Sequence, residues 1–197
     1  MKFQDVGLPG AWLVQVERME DARGFFARTW CDDEFARAAF GSSGSGDVPR
    51  FVQNSISFNL RKGTLRGMHY QAAPSREGKL VRCTAGAIFD AIIDLRPESE
   101  TYLKFASVEL TQRNRDALYI PPGFAHGFQT LVDDTEVFYQ MTDVFQPELA
   151  RGLRWNDPLF PIPWPEDDRL IHARDAQYPD FHPEAARRPG GTPDSQH

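Results

Sequence analysis

The segment Gly63-Thr-Leu-Arg-Gly-Met-His69-Tyr-Gln71 sets one histidine on a short strand and turn, where a metal-binding β-barrel would present two. A partner segment, Pro121-Pro-Gly-Phe-Ala-His126, follows about half a barrel later, so both halves of such a pattern are here, with Gln71 replacing the second histidine. Borderline metals need about three or four nitrogen or oxygen ligands within bonding distance. With Gln71 substituted and Glu77 shifted from the expected carboxylate position, too few good ligands remain, and the residues point to acid/base chemistry instead. Imidazole is the side chain whose free pKa lies nearest neutrality, which suits positioned proton transfer. An isolated histidine in a strand is more often a satisfied structural group, but His69 has the cations Arg66 and Lys79 on either side of it in sequence.

The elements that must position these groups read as β-strands. Runs at Ala11–Val16, Phe51–Leu60, Lys79–Thr84, Ala87–Leu95, Phe105–Leu110, Ala117–Ile120, Gly127–Leu131 and Val137–Thr142 have strand length and β-branched or aromatic content, punctuated by Gly, Pro and Asp. So many short strands predict an all-β sandwich or barrel. Asp32–Phe40 reads as a short peripheral helix that starts at an aspartate and ends before Gly41. Gly41–Gly46 reads as a flexible loop, and residues 183–197 as a mobile tail beyond a single domain spanning 1–182. Within Phe51–Leu60, Val52, Asn54, Ile56, Phe58 and Leu60 fall on one face and Gln53, Ser55, Ser57 and Asn59 on the other. That polar face fits a solvent-facing sheet edge and the lining of an interior pocket equally well.

A chain of 197 residues with 41% hydrophobic content suffices for one domain with a real core. A net charge of -6 without a basic run argues against a nucleic-acid partner, although a few focused arginines can still bind phosphates. Cys31 and Cys83 have no metal-type spacing, and Cys83 falls in an apolar run, which suits the reducing cytoplasm. The amino-terminal residues lack a signal-like apolar stretch, and no uncharged run approaches the roughly 18 residues that cross a bilayer, so no membrane association is expected.

Six segments in order carry a family resemblance: Asp21-Ala-Arg23-Gly-Phe-Phe26; Gly63 to Gln71; Lys79-Leu-Val-Arg-Cys; Tyr119-Ile-Pro-Pro-Gly-Phe-Ala-His126-Gly-Phe; Arg151-Gly-Leu-Arg-Trp155-Asn-Asp-Pro158; and Ile162-Pro-Trp164-Pro. Together, from about Leu8 to Phe181, they resemble the dTDP-4-dehydrorhamnose 3,5-epimerase family. The resemblance implies a cupin jelly-roll that works without metal or organic cofactor on a thymidine-diphospho-4-keto-6-deoxyhexose, in deoxysugar supply for surface polysaccharide. It also implies a homodimer with strands contributed across the interface.

Inversion beside a ketone requires a base on one face, an acid on the other and a group that holds the enolate between them. The resemblance makes His69 the base, Asp175 its orienting carboxylate, Tyr139 the acid and Lys79 the cation beside the C4 oxygen. It makes Arg23 and Arg66 diphosphate contacts, a role for which guanidinium forks are suited. Gln53 and its polar face become pocket lining, His126 a hydrogen-bonding partner near the base or substrate, and Phe26 a group packed on the nucleotide, from this or a neighbouring subunit. Arg174 keeps the charge of a commoner lysine.

Three departures bear on specificity. Arg28 stands where a glutamate often contacts the thymidine portion, Ala150 where a second glutamate often stands, and Phe145 where many members have tyrosine. The base carried by the nucleotide therefore stays open, as does inversion at both C3 and C5. The alternatives are a C3-only epimerase, a metal-dependent cupin isomerase or oxygenase, and a sugar-binding cupin without turnover.

Overall fold

The computed structural model describes residues 1–40 and 48–183; the expected loop at Gly41–Gly46 lies outside them, as does all but the first residue of the expected tail. Two six-stranded sheets face each other. The first runs in the order β1 (Lys2–Asp5), β2 (Trp12–Gln15), β10 (Ala117–Ile120), β7 (Lys79–Ala85), β12 (Thr135–Met141), β5 (Gln53–Asn59). The second runs β13 (Ala150–Gly152), β6 (Thr64–Gln71), β11 (Phe124–Thr130), β8 (Ala87–Asp94), β9 (Phe105–Thr111), with β14 (Leu170–Ile171) added in parallel to β6. A separate hairpin joins β3 (Met19–Asp21) to β4 (Gly24–Phe26), and α1 (Asp32–Phe40) and α2 (Ala173–Ala176) are the two α-helices among the described residues. This is the expected all-β jelly-roll.

Strand alternation explains the layers. Val81, Cys83, Ile88, Ile92, Leu118 and Phe128 point between the sheets and form the inner core. Their neighbours in sequence point outward but are also covered, which is why β8 reads Ala-Ile-Phe-Asp-Ala-Ile-Ile-Asp with almost no polar alternation. On the second sheet Leu65, Met68, Ala91 and Ile93 are capped by Leu153, Phe160, Ile162 and Trp164 from the proline-rich segment. On the first sheet Leu80, Ala117 and Tyr119 meet Phe35 of α1, whose ring lies edge-on to Tyr119 at 4.9 Å. The helix is thus less peripheral than its sequence implies, because Phe35 is buried among these side chains. Each such large apolar group contributes roughly 1.5–3 kcal/mol by leaving water.

All eight expected strands are present, with ends shifted by a few residues. Thr64–Gln71 is a full eight-residue strand rather than a short strand and turn. The strands not anticipated are short, from two residues in β14 to four in β1, too brief for a periodic signal.

Candidate active site

The interior changes chemistry towards β5 and β6. Strict alternation would put Arg66 and His69 on opposite faces of β6, but the register against β11 slips, His126 facing His69 and Phe128 facing Arg66. This bulge adds one residue at Gly67-Met68 and puts both side chains on the same inward face. Gly67 sits at φ +129°, and a Cβ there would lie 2.5 Å from Gly127 Cα, so only glycine lets the two strands approach this closely.

The same bulge anchors Asp175. β14 lies alongside β6, pairing Ile171 with Leu65, and α2 begins directly after it, with the His172 ring accepting from the Arg174 amide. Asp175 then accepts at Oδ1 from His69 Nε2 at 2.9 Å and at Oδ2 from the freed Gly67 amide at 3.3 Å. Arg174 Nε donates to Oδ1 at 3.2 Å. The Asp175 side chain is 3% exposed and that of His69 37%, so the imidazole opens outward while the carboxylate is sealed. Burial alone would raise the Asp175 carboxyl, but the His69, Gly67 and Arg174 contacts outweigh it and hold it below its ordinary value. An ionised Asp175 keeps the proton of His69 on Nε2, which leaves Nδ1 as the basic nitrogen.

A second pair lies deeper. His126 Nε2 meets Asp90 Oδ1 at 2.5 Å, with side chains 5% and 0% exposed. Burial pushes the Asp90 carboxyl up despite the His126 contact, and its Oδ2 is buried without a hydrogen-bond partner among the described residues. Tyr139 packs edge-on to His126 at 5.9 Å. Burial and the Asp90 charge push the Tyr139 phenol well above its ordinary value, with Arg66 pulling the other way.

The remaining expected residues divide. Lys79, on the inner side of β7, is largely buried and ion-paired with the buried Glu77 rather than being an exposed strand lysine. Arg66 Nε donates to Asn59 Oδ1 at 2.7 Å, which leaves its terminal nitrogens as its remaining donors. Gln53 lies on the same inward face of β5 and accepts from the Phe145 amide at 3.1 Å. Arg174 joins the site through Asp175. Arg23, Phe26 and Arg28 are not brought there within the single chain. Arg23 pairs with Asp21 on the exposed hairpin, Phe26 is 69% exposed, and Arg28 pairs with Glu34 of α1.

Two residues of the site have no functional reading in the sequence: Asp90 hides in an apolar strand, and Glu77 reads only as a displaced metal ligand. Asn59 is reached only as part of the polar face that the resemblance makes pocket lining. The signal available for the bulge was Gly67, since a glycine inside a strand marks such features. Among the described residues no three His, Cys, Asp or Glu side chains converge as a metal site.

The chain matches the family model for dTDP-4-dehydrorhamnose 3,5-epimerase over residues 5–183. It belongs to that family. A dTDP-4-dehydrorhamnose 3,5-epimerase from Sinorhizobium fredii is 40% identical over 166 residues, 84% of this chain and 82% of that protein. The crystal structure of a dTDP-4-dehydrorhamnose 3,5-epimerase from Bacillus anthracis, with TDP and PPi bound, superposes with a TM-score of 0.84 at 32% identity. That match covers 91% of this chain and 99% of the other. A dTDP-4-dehydrorhamnose 3-epimerase from Streptomyces niveus is 32% identical over 175 residues, 89% of this chain and 81% of that protein. Like the family to which it belongs, the chain is an isomerase.

Proposed function

We propose that the chain inverts C3 and C5 of dTDP-4-dehydro-6-deoxyglucose to give dTDP-4-dehydrorhamnose, with His69 as base and Tyr139 as acid. The observation that carries this reading is the pairing of a solvent-reaching His69 with a sealed, ionised Asp175, opposite Tyr139 on the facing sheet. His69 Nδ1 takes the proton beside the C4 ketone, and the C–H electron pair moves into an enolate whose charge comes to rest on the C4 oxygen near Lys79. Tyr139 returns a proton to the carbon from the other face and is reprotonated as His69 releases its own, so no net charge is created. C3 and C5 flank the same carbonyl, so one set of groups serves both carbons in turn. Such positioned proton transfer supplies about 10²- to 10⁴-fold in rate, and a fixed cation at the enolate oxygen on the order of 3 kcal/mol.

The functional form is read as a homodimer. Among the described residues hairpin β3–β4 pairs with no other strand, and its Met19, Phe25 and Phe26 are exposed. The outer face of the edge strand β5 carries Ile56 and Phe58, which are 61% and 51% exposed, an apolar face that a lone chain leaves wet. A second copy that seats its hairpin along this edge would add Arg23 and Phe26 to the nucleotide end of the pocket. Sedimentation of the purified protein is expected to give twice the chain mass; a monomer that turns over at the full rate refutes this part.

Incubation with dTDP-4-dehydro-6-deoxyglucose in heavy water tests the reaction, with deuterium expected at both C3 and C5 of the product. Phe145 favours a second reading, because it offers no hydroxyl where the family resemblance implies a tyrosine, and a dTDP-4-dehydrorhamnose 3-epimerase is among the relatives. Label confined to C3 selects that second reading, and no label at either carbon rejects both.

A further inference from the structure

The cupin pattern leaves two residues that the proton chemistry does not use, Gln71 and Glu77, and the structure joins them. Glu77 is 7% exposed at its side chain, with one carboxylate oxygen on the Lys79 ammonium and the other accepting from Gln71 Nε2 at 3.1 Å. Gln71 in turn accepts from the Gln146 amide at 3.0 Å, and the Glu77 amide donates to Ser75 Oγ at 3.2 Å. The carboxylate thus bridges β6 of one sheet to β7 of the other, with Lys79 at its end. We propose that Glu77, held by Gln71, is a positioning residue that fixes the Lys79 ammonium where the enolate oxygen forms, a step that rests on the role given to Lys79 above.

The physical argument concerns freedom. A lysine head group on four methylenes is a mobile point charge with three donors, and it stabilises a developing oxyanion only where it is already aimed. Glu77 occupies one donor and leaves two for the substrate. Gln71 contributes a neutral amide whose donor orients Glu77 and whose acceptor ties down the chain at Gln146. Gln71 and Glu77, which the sequence pattern offers as incomplete metal ligands, hold an ammonium group here.

A double-mutant cycle in the intact protein tests this, with dTDP-4-dehydro-6-deoxyglucose as substrate and kcat, KM and melting temperature as readouts. Lys79→Gln is expected to lower kcat about 100-fold. Glu77→Gln keeps the side-chain volume and is expected to lower kcat about 10-fold, with KM changed less than about twofold, as befits a loss felt in the transition state. In the Lys79→Gln background the same Glu77→Gln change should alter kcat by less than about twofold, because its target is gone. Gln71→Leu, which leaves the ion pair in place, should cost about threefold in kcat, again only when Lys79 is present. Unchanged kcat in folded Glu77→Gln, or an equal loss in both backgrounds, overturns the proposal. Should Glu77→Gln fail to fold, Gln71→Leu decides by the same criteria. Unchanged kcat in Lys79→Gln would instead overturn the role of Lys79 itself.

Discussion

Among the described residues two histidine–aspartate pairs of the same composition lie side by side, and they differ in their access to water. His69 is 37% exposed and His126 5%, while both carboxylates are buried. Their registers make them direct neighbours, since His69 and His126 face each other across β6 and β11. Asp175 accepts from three groups and is pulled below its ordinary value, whereas Asp90 has, among the described residues, one partner, an unsatisfied oxygen and a carboxyl pushed up by burial. The same residue types thus have carboxyls shifted in opposite directions, set by the number of donors around the carboxylate. The first pair suits proton exchange with a ligand. The second suits a fixed contact that positions Tyr139.

Breaking the first pair should cost the most. Asp175→Asn is expected to lower kcat about 10²- to 10³-fold with the fold retained, because an amide no longer holds the Nε2 proton of His69 in place. The pair is also a stability term with a definite sign. The folded Asp175 carboxyl lies below its ordinary value of 3.8, so its contribution is complete above that pH and fades as pH falls below it. The melting temperatures of wild type and Asp175→Asn should therefore converge on acidification. A gap that widens in acid contradicts the assignment.

The second pair should show the reverse balance. Asp90→Asn is expected to lower kcat only about 10-fold, through Tyr139, yet to cost about 3 kcal/mol of stability, as removal of one partner from a buried pair commonly does. Denaturant titration beside steady-state kinetics separates the two effects. A loss in kcat as deep as that of Asp175→Asn would erase the distinction between the pairs.

The same contrast explains what the sequence made legible. His69, His126, Lys79 and the strands that carry them stand out because their segments have strand composition and sit beside Gly and Pro punctuation. Cys83 reads as a core residue and is one. Asp175 is 106 residues from His69, and its placement depends on a two-residue strand and a one-turn helix, so family likeness rather than periodicity pairs them. Asp90 leaves no trace because β8 is buried on both faces, and a carboxylate in such a strand reads as an interruption of the core. The polar face of β5 reads equally as edge or pocket. In the structure it points inward, and the apolar face that ordinary patterning would bury stays exposed; that exposed face is what the proposed homodimer would cover.

Deuterium wash-in at the carbons beside the ketone, compared between wild type and His69→Ala in heavy water, tests the central claim most directly. The variant should lose about 10³-fold or more in exchange rate while still binding dTDP, because binding does not depend on the base. Exchange near the wild-type rate in a folded, nucleotide-binding His69→Ala would contradict the assignment of His69 as the group that takes the proton.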